Sequence, residues 1–276
     1  MNSRGTAILL EAATQKGSSI RKIVVASSMS LYGEGRCRCA SCGPFDPVLR
    51  AVEQLEKKDF EIHCPVCKAI SVTEPTPEDA RLVSTTVYAV TKRDQEDLVL
   101  AVAAAYGIAG IALRLFNVYG PRQSLSNPYT GVAAIFSSRL LNGASPMVFE
   151  DGEQTRDFTH VSDVAEAFAR AVDSESVTGV ALNVGAGRPH TLSELGAFLA
   201  REIGVEWNPQ ITSSFRKGDI RHCTADGARL EKLLGFRPQV RFKDGVRDLV
   251  AWMRGEKPID RVSKAMDELT ARGLIS

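Results

Sequence analysis

Ile23-Val24-Val25-Ala26-Ser27-Ser28-Met29-Ser30-Leu31-Tyr32-Gly33 is the stretch on which the fold class turns. Its first four residues form a short apolar, β-branched run. Such a run reads as a strand buried on both faces, the habit of parallel sheets. Ser27 and Ser28 stand at its carboxyl end, where open α/β sheets bind ligands. Residues 2–16 before it have helical spacing, with Asn2 or Ser3 as cap and Gly17 as stop. After it the sequence predicts a helix over 77–106, a strand at 111–115, a loop at 117–122 and a helix over 130–142. A strand at 146–149, a helix at 161–173, a strand at 180–184, a helix at 191–203 and a terminal helix near 243–254 continue the pattern. Strands alternating with helices imply an α/β fold with a largely parallel sheet.

Composition narrows the function classes. Of 276 residues, 44% are hydrophobic and 24% charged, the profile of a soluble globular protein. A net charge of +1 gives no reason to expect a nucleic-acid or membrane surface. No apolar run approaches the roughly 18 residues of a membrane span. The first residues have too short an apolar part for a signal peptide, so a cytoplasmic location is expected.

Tyr88 and Lys92 form a Tyr-x-x-x-Lys pair inside the expected helix. Spacing of i, i+4 puts both on one face. A neighbouring ammonium favours the phenolate, whose unperturbed pKa is about 10, and makes Tyr88 a usable base. The pattern arises often by chance, and an ordinary surface Tyr and Lys is the alternative. Ser28 is placed to hydrogen-bond a substrate hydroxyl or the carbonyl it becomes; its alternative role is simply to end the strand.

Residues 33–77 differ in composition and read as an insertion with a short helix near 47–58. Five of six cysteines lie there. Cys39-x-x-Cys42 and Cys64-x-x-Cys67, with 21 residues between the pairs, have near zinc-ribbon spacing. Four thiolates suit a structural zinc with no open catalytic position. Cys37 competes with Cys39, His63 adjoins the second pair, and free buried cysteines are the alternative.

Taken in order, these residues resemble the extended short-chain dehydrogenase/reductases, specifically the nucleotide-sugar epimerase/dehydratase family. Arg114-Leu-Phe-Asn-Val-Tyr-Gly-Pro-Arg122, Arg156-Asp-Phe-Thr-His-Val-Ser-Asp163, Asn183-Val-Gly-Ala-Gly187 and Arg216-Lys-Gly-Asp219 are similar to further family motifs and follow the family's order. The resemblance implies a Rossmann-like sheet that binds NAD, and a nucleotide-diphosphate sugar as substrate. It implies Ser28, Tyr88 and Lys92 as catalytic residues, with Ser27, Tyr88, Lys92 and Phe116 beside the cofactor. It places Ser28, Asn117, Arg156, Arg216 and Asp219 around the substrate. A guanidinium fork suits phosphate oxygens; surface salt bridges are the alternative for the two arginines. Asp219 has the further reading of a loop brace, and His160 and Asp163 of orienting helix 161–173.

Family dehydratases carry Asp-Glu directly after the catalytic hydroxyl residue. Here Met29 and Ser30 stand there, and neither can pass protons as a carboxyl does. The expected activity is therefore 4-epimerisation. An NAD(P)H-dependent 4-keto-sugar reductase is an alternative. Gln123–Gly131 with the cysteine insertion is similar to dTDP-L-rhamnose 4-epimerase-like members; UDP-glucose and UDP-glucuronate are alternative sugars. No glycine-rich turn of the family's cofactor type precedes Ser28. Residues 1–122 are therefore expected to be an N-terminally truncated, partial Rossmann-like domain carrying insertion 33–77. Residues 123–276 are expected to be mainly the nucleotide-sugar part, with 146–184 returning partly to the sheet. A fragment of a longer enzyme is one expectation, an inactive remnant or scaffold the other. Family members dimerise through the Tyr-bearing helix, and the Ala- and Val-rich 82–106 segment suits a homodimer.

Overall fold

A computed structural model describes residues 2–127 and 131–275. The chain runs α1 (Asn2–Ala13), β1 (Lys22–Ser28), β2 (Cys37–Cys39), β3 (Gly43–Phe45), α2 (Val52–Glu56), β4 (Val72–Thr73), β5 (Pro75–Thr76), α3 (Val87–Tyr106), β6 (Ala109–Leu115) and β7 (Asn117–Tyr119). It continues α4 (Val132–Leu141), β8 (Met147–Val148), β9 (Thr155–His160), α5 (Val161–Asp173), β10 (Val180–Val184), β11 (Pro189–Thr191), α6 (Leu192–Ile203), β12 (Gln210–Ile211), β13 (His222–Ala225), α7 (Ala228–Leu234), α8 (Phe242–Met253) and α9 (Val262–Ala271). The expected helix start at Thr130, and residues 128–130 of the Gln123–Gly131 stretch, lie outside the described residues.

The α/β fold with a parallel sheet is present. Strands β1, β6 and β10 pair in parallel in that order, with β6 central. The two sides of β6 explain its sequence. Ile111 and Leu113 pack with Val164 and Ala167 of α5 and Leu230 of α7. The alternate residues face α3 and are small until Arg114: Ala112 packs with Val99, and Gly110 sits under Ala103. A Cβ on Gly110 would come within 2.7 Å of the Ala103 methyl, so only glycine lets α3 lie this close to the sheet. The outer edge of β1 has no partner strand among the described residues. Apolar residues of α1 and β1, including Leu9, Leu10 and Val25, line a hollow beside that edge.

Helix α3 starts at Val87, ten residues after the expected Pro77. The segment before it is drawn into the body instead: Glu78 accepts the Asn183 amide at 2.9 Å, and the Val83 amide reaches the Leu31 carbonyl at 2.7 Å. Thr86 then caps the helix through the Ala89 amide, and Gly107 (φ 68°) ends it in the left-handed conformation.

A second, mixed sheet orders β11, β9, β13 and β5, with β7 against the far half of β9. Strand β7 lies in the expected 117–122 loop, and neither β9 nor β13 was expected. Of residues 146–184, only β10 joins the first sheet; β8 pairs with β12. Helices α4, α6 and α8 enclose a separate apolar core of Phe136, Leu195, Leu199, Val246, Leu249 and Met253. Helix α9 follows the expected terminal helix. No helix among the described residues is long and apolar enough to cross a membrane.

A buried ion pair fastens α3 to β6. Arg114 Nη2 is 2.6 Å from Glu96 Oε1, with the two side chains 6% and 3% exposed. Removing one partner of such a pair strands the other charge. Glu96→Ala is therefore expected to cost about 3–5 kcal/mol of stability, measured as a shift in urea unfolding.

Candidate active site

A cavity of about 570 Å³ opens at the carboxyl ends of β1 and β6. It gathers Ser28, Tyr88, Lys92, Phe116, Asn117, Arg156 and Asp219 from five separate segments of chain. Tyr88 sits in the first turn of α3 with its side chain 53% exposed at the mouth. Lys92 is one turn deeper, and its ammonium donates to the Ala26 carbonyl at 2.9 Å. Burial lowers its pKa from the ordinary lysine value.

Ser28 ends β1 and caps the single turn Met29–Leu31. Its Oγ accepts from the Ser30 amide (3.2 Å) and the Ser30 hydroxyl (2.9 Å). With both acceptor positions used, its own O–H is left to donate into the cavity.

Ser27 stands beside it at the end of β1. It lines the cavity, but its hydroxyl turns into the core and donates to Glu96 Oε2 at 2.5 Å. From Glu96 the polar chain continues to Arg114, then to the Tyr32 hydroxyl at 2.7 Å, then to Asn183 Oδ1 at 2.7 Å. Burial pushes the Tyr32 pKa well above its ordinary value despite Arg114 beside it. Tyr32 is thus a structural phenol, distinct from the exposed Tyr88.

The far wall is Gly218–Ile220, beside Arg156. Arg156 Nη1 donates to the Thr155 and Arg221 carbonyls, and Nη2 to the Ile220 carbonyl (2.8 Å) and Asp219 Oδ1 (3.2 Å). The guanidinium is therefore held rigidly, and Asp219 is both its counter-charge and a loop brace. Arg216 is placed apart from these residues: it is outside the described cavity lining, lies over the Phe149 ring at 5.6 Å, and its backbone bridges to Ile275. His160 caps α5 through the Ser162 amide. Asp163 instead accepts the Gln239 and Val240 amides and ties the approach to α8 down.

Gln123 was missed as a site residue. It lines the cavity, and its Oε1, like Asn117 Oδ1, is buried with no partner. Unpaired buried acceptors cost energy until a donor arrives, so two amides await a ligand here. Its place directly after Gly-Pro-Arg122 was the available signal. Asp157 is another missed residue: its carboxylate accepts the Ala186, Gly187 and Ala225 amides. Burial nevertheless pushes its pKa up to about 6.

In the insertion, the Sγ atoms of Cys39, Cys42, Cys64 and Cys67 lie within 4.8 Å of one another. Cys39 and Cys67 sulfurs are 3.4 Å apart, far beyond a disulfide bond. Cys37 is buried and outside the group. His63 is turned away, its ring nitrogens on Asp59 (2.8 Å) and the Lys68 carbonyl (2.9 Å).

A family model described as "NAD dependent epimerase/dehydratase family" matches residues 63–185. The dTDP-L-rhamnose 4-epimerase of Burkholderia thailandensis is 33% identical over 258 residues, 93% of this chain and 69% of that protein. The chain belongs to the NAD-dependent epimerase/dehydratase family. A UDP-glucose 4-epimerase of Mycolicibacterium smegmatis is 34% identical over 182 residues, 66% of this chain and 57% of that family member. Among solved structures, a UDP-N-acetylglucosamine 4-epimerase from Methanobrevibacter ruminantium in complex with UDP-N-acetylmuramic acid matches at TM-score 0.71 and 26% identity. It covers 93% of this chain and 69% of that one. A Thermus thermophilus UDP-glucose 4-epimerase complex with NAD matches at 0.69 and 28%, covering 93% and 70%. The chain thus spans between 57% and 70% of the length of these relatives.

Behind the pocket wall, Glu61 of the insertion meets His222 (3.7 Å) and Arg221 (2.5 Å). Hydrogen bonds from His222 and then Arg221 hold its carboxyl at about 2, against an ordinary 4.5 and against the opposing pull of burial. A depressed folded pKa stabilises above the unfolded value and is lost on acidification. The melting-temperature gap between wild type and Glu61→Gln is therefore expected to be full at pH 7 and to close between about pH 4.5 and 2; a gap independent of pH would refute the shift.

Proposed function

We propose that this pocket belongs to a nucleotide-sugar 4-epimerase that oxidises and re-reduces C4 of a nucleoside-diphosphate hexose. The observation that carries the reading is the company kept by Tyr88. Ser28 and Lys92 line the same cavity, and the only carboxylate among its described lining residues is Asp219. That carboxylate is paired with Arg156. A dehydratase needs a free acid and base to expel water. Met29 and Ser30 supply neither, and the Ser30 hydroxyl is spent on Ser28.

The residues on the nicotinamide side fit NAD: a half-buried lysine, a phenol at the cavity mouth, and Phe116 in the wall. NAD, when bound, supplies the acceptor and later the donor of hydride. Tyr88 takes the proton of the C4 hydroxyl and returns it after the sugar has turned over. The Lys92 ammonium, anchored on the Ala26 carbonyl, favours the phenolate by its charge. Ser28 donates its free O–H to the C4 oxygen as it becomes a carbonyl. Arg156 offers positive charge to the diphosphate, and Asn117 and Gln123 offer amides to the sugar or its phosphates. The relative covering most of the chain favours a dTDP-linked 6-deoxyhexose such as dTDP-L-rhamnose over UDP-hexoses.

Cys39, Cys42, Cys64 and Cys67 fit a structural zinc. Tetrahedral Zn–S bonds of about 2.3 Å place sulfurs about 3.8 Å apart, within the observed spread. Amides of Cys67 and Val66 lower the Cys64 thiol pKa, while hydrogen bonds from Cys67 and Cys64 raise that of Cys42. We also read the molecule as a homodimer, supported by the exposed apolar Val87 and Val90 on α3 and Ile8 and Leu9 on the adjoining α1.

Tyr88→Phe is expected to lower epimerase turnover at least about 10²-fold while sugar-nucleotide binding persists, as read by following C4 epimers of dTDP-rhamnose with NAD present. A wild type that interconverts no C4 epimers would sink the reading. Elemental analysis of protein purified without chelator should find one zinc per chain, falling to none in Cys64→Ser; six freely titrating thiols and no zinc would exclude the metal site.

A further inference from the structure

The cysteine-rich insertion touches the pocket wall through charges that the proposed reaction does not use. Arg50 lies in the insertion with its side chain 3% exposed. Its Nε donates to Glu34 at 2.8 Å, and its Nη1 to the Phe60 carbonyl (2.9 Å) and Glu150 (3.0 Å). Its Nη2 reaches the Asp219 carbonyl at 3.3 Å. Glu34, itself fully buried, also accepts the Arg221 amide. The Arg221 side chain, 1% exposed, is gripped by Glu61 of the insertion together with Glu150 and Asp151. Residues 219–221 are thus held from behind at the first carbonyl, the last amide and the last side chain.

From the front, the same three residues hold Arg156. The Asp219 carboxylate and the carbonyls of Ile220 and Arg221 receive its two Nη groups. A fork satisfied by backbone carbonyls goes where that backbone goes. Displacement of 219–221 by about 1 Å would carry the charge away from a ligand, and errors of that size are costly at a preorganised site.

We propose that Arg50 is a positioning residue for the diphosphate: it sets the Arg156 guanidinium by fixing the 219–221 wall, so the insertion is part of the binding apparatus. This rests on the nucleotide-sugar reading of the pocket. An arginine that merely fastened the insertion to the body would affect stability and leave ligand affinity alone.

The test titrates the full chain with dTDP and with UDP by calorimetry. Arg50→Lys keeps a cation between Glu34 and Glu150 and loses the fork that reaches Asp219. It should bind the diphosphate about tenfold more weakly, and Glu61→Gln, which slackens Arg221, severalfold. In an Arg156→Ala background, Arg50→Lys should cause no further loss, because its effect runs through Arg156. Hydrogen exchange at the Ile220 and Arg221 amides should accelerate in unliganded Arg50→Lys. Wild-type affinity in Arg50→Lys, a loss fully additive with Arg156→Ala, or unchanged exchange overturns the inference. Should Arg50→Lys not fold, Glu61→Gln decides by the same three readings. A wild type that binds neither diphosphate overturns the nucleotide-sugar reading instead, and the exchange result still stands or falls separately.

Discussion

The buried pairing of Arg114 with Glu96 is the contact on which the rest is hung. Two charges taken out of water cost several kcal/mol each unless every donor and lone pair is used. Here they are used. Glu96 receives Arg114 Nε and Nη2 and the Ser27 hydroxyl, and Arg114 Nη1 reaches the Tyr32 phenol and the Glu78 carbonyl. The network crosses β1, α3, β6 and, through Asn183, β10. It lies on one helix face with Lys92 and Tyr88, four and eight residues before Glu96. The ion pair thereby fixes the register of α3 on the sheet and hence where the phenol emerges.

A second polar assembly, around Arg221 and Arg50, plays the matching part on the opposite side of the cavity. It joins three pieces remote in sequence: the insertion, the Glu150-Asp151 turn and the 219–221 wall. The cavity is thus bounded by two rigid charged frameworks, one under Tyr88 and one behind Arg156. Between them Asn117 and Gln123 present amides whose buried oxygens lack partners. The preorganised groups surround the softer ones, as binding with little ordering cost requires.

The sequence made the sheet legible because its strands carry short apolar runs: Ile23–Ala26, Ile111–Leu113 and Val180–Leu182 lie in β1, β6 and β10. The family was legible because its motifs occur in order. Strand β9 was hidden because Arg156, Asp157 and His160 break any apolar pattern. Their polarity is satisfied by carbonyls and amides brought in from elsewhere, which no local window contains. The start of α3 was misplaced for a related reason, since Glu78 is taken by a backbone amide 105 residues away. Ser27 and Arg216 have neighbours that their motifs do not foretell: a core carboxylate takes the hydroxyl of one, and an aromatic ring lies under the other. Arg50 carried no local signal, because its meaning depends on a carbonyl 169 residues downstream.

The close seat of Gly110 beneath Ala103 has a kinematic consequence. A helix pinned at that contact, at Glu96 and at Lys92 can neither slide nor roll, so the backbone that carries Tyr88 is a fixed point. On the proposed reading of the pocket, a base carried on that backbone leaves the turning to the sugar. On that reading the stator is the sheet and the rotor is the substrate, and the room for the swing is the cavity between Tyr88 and Arg156.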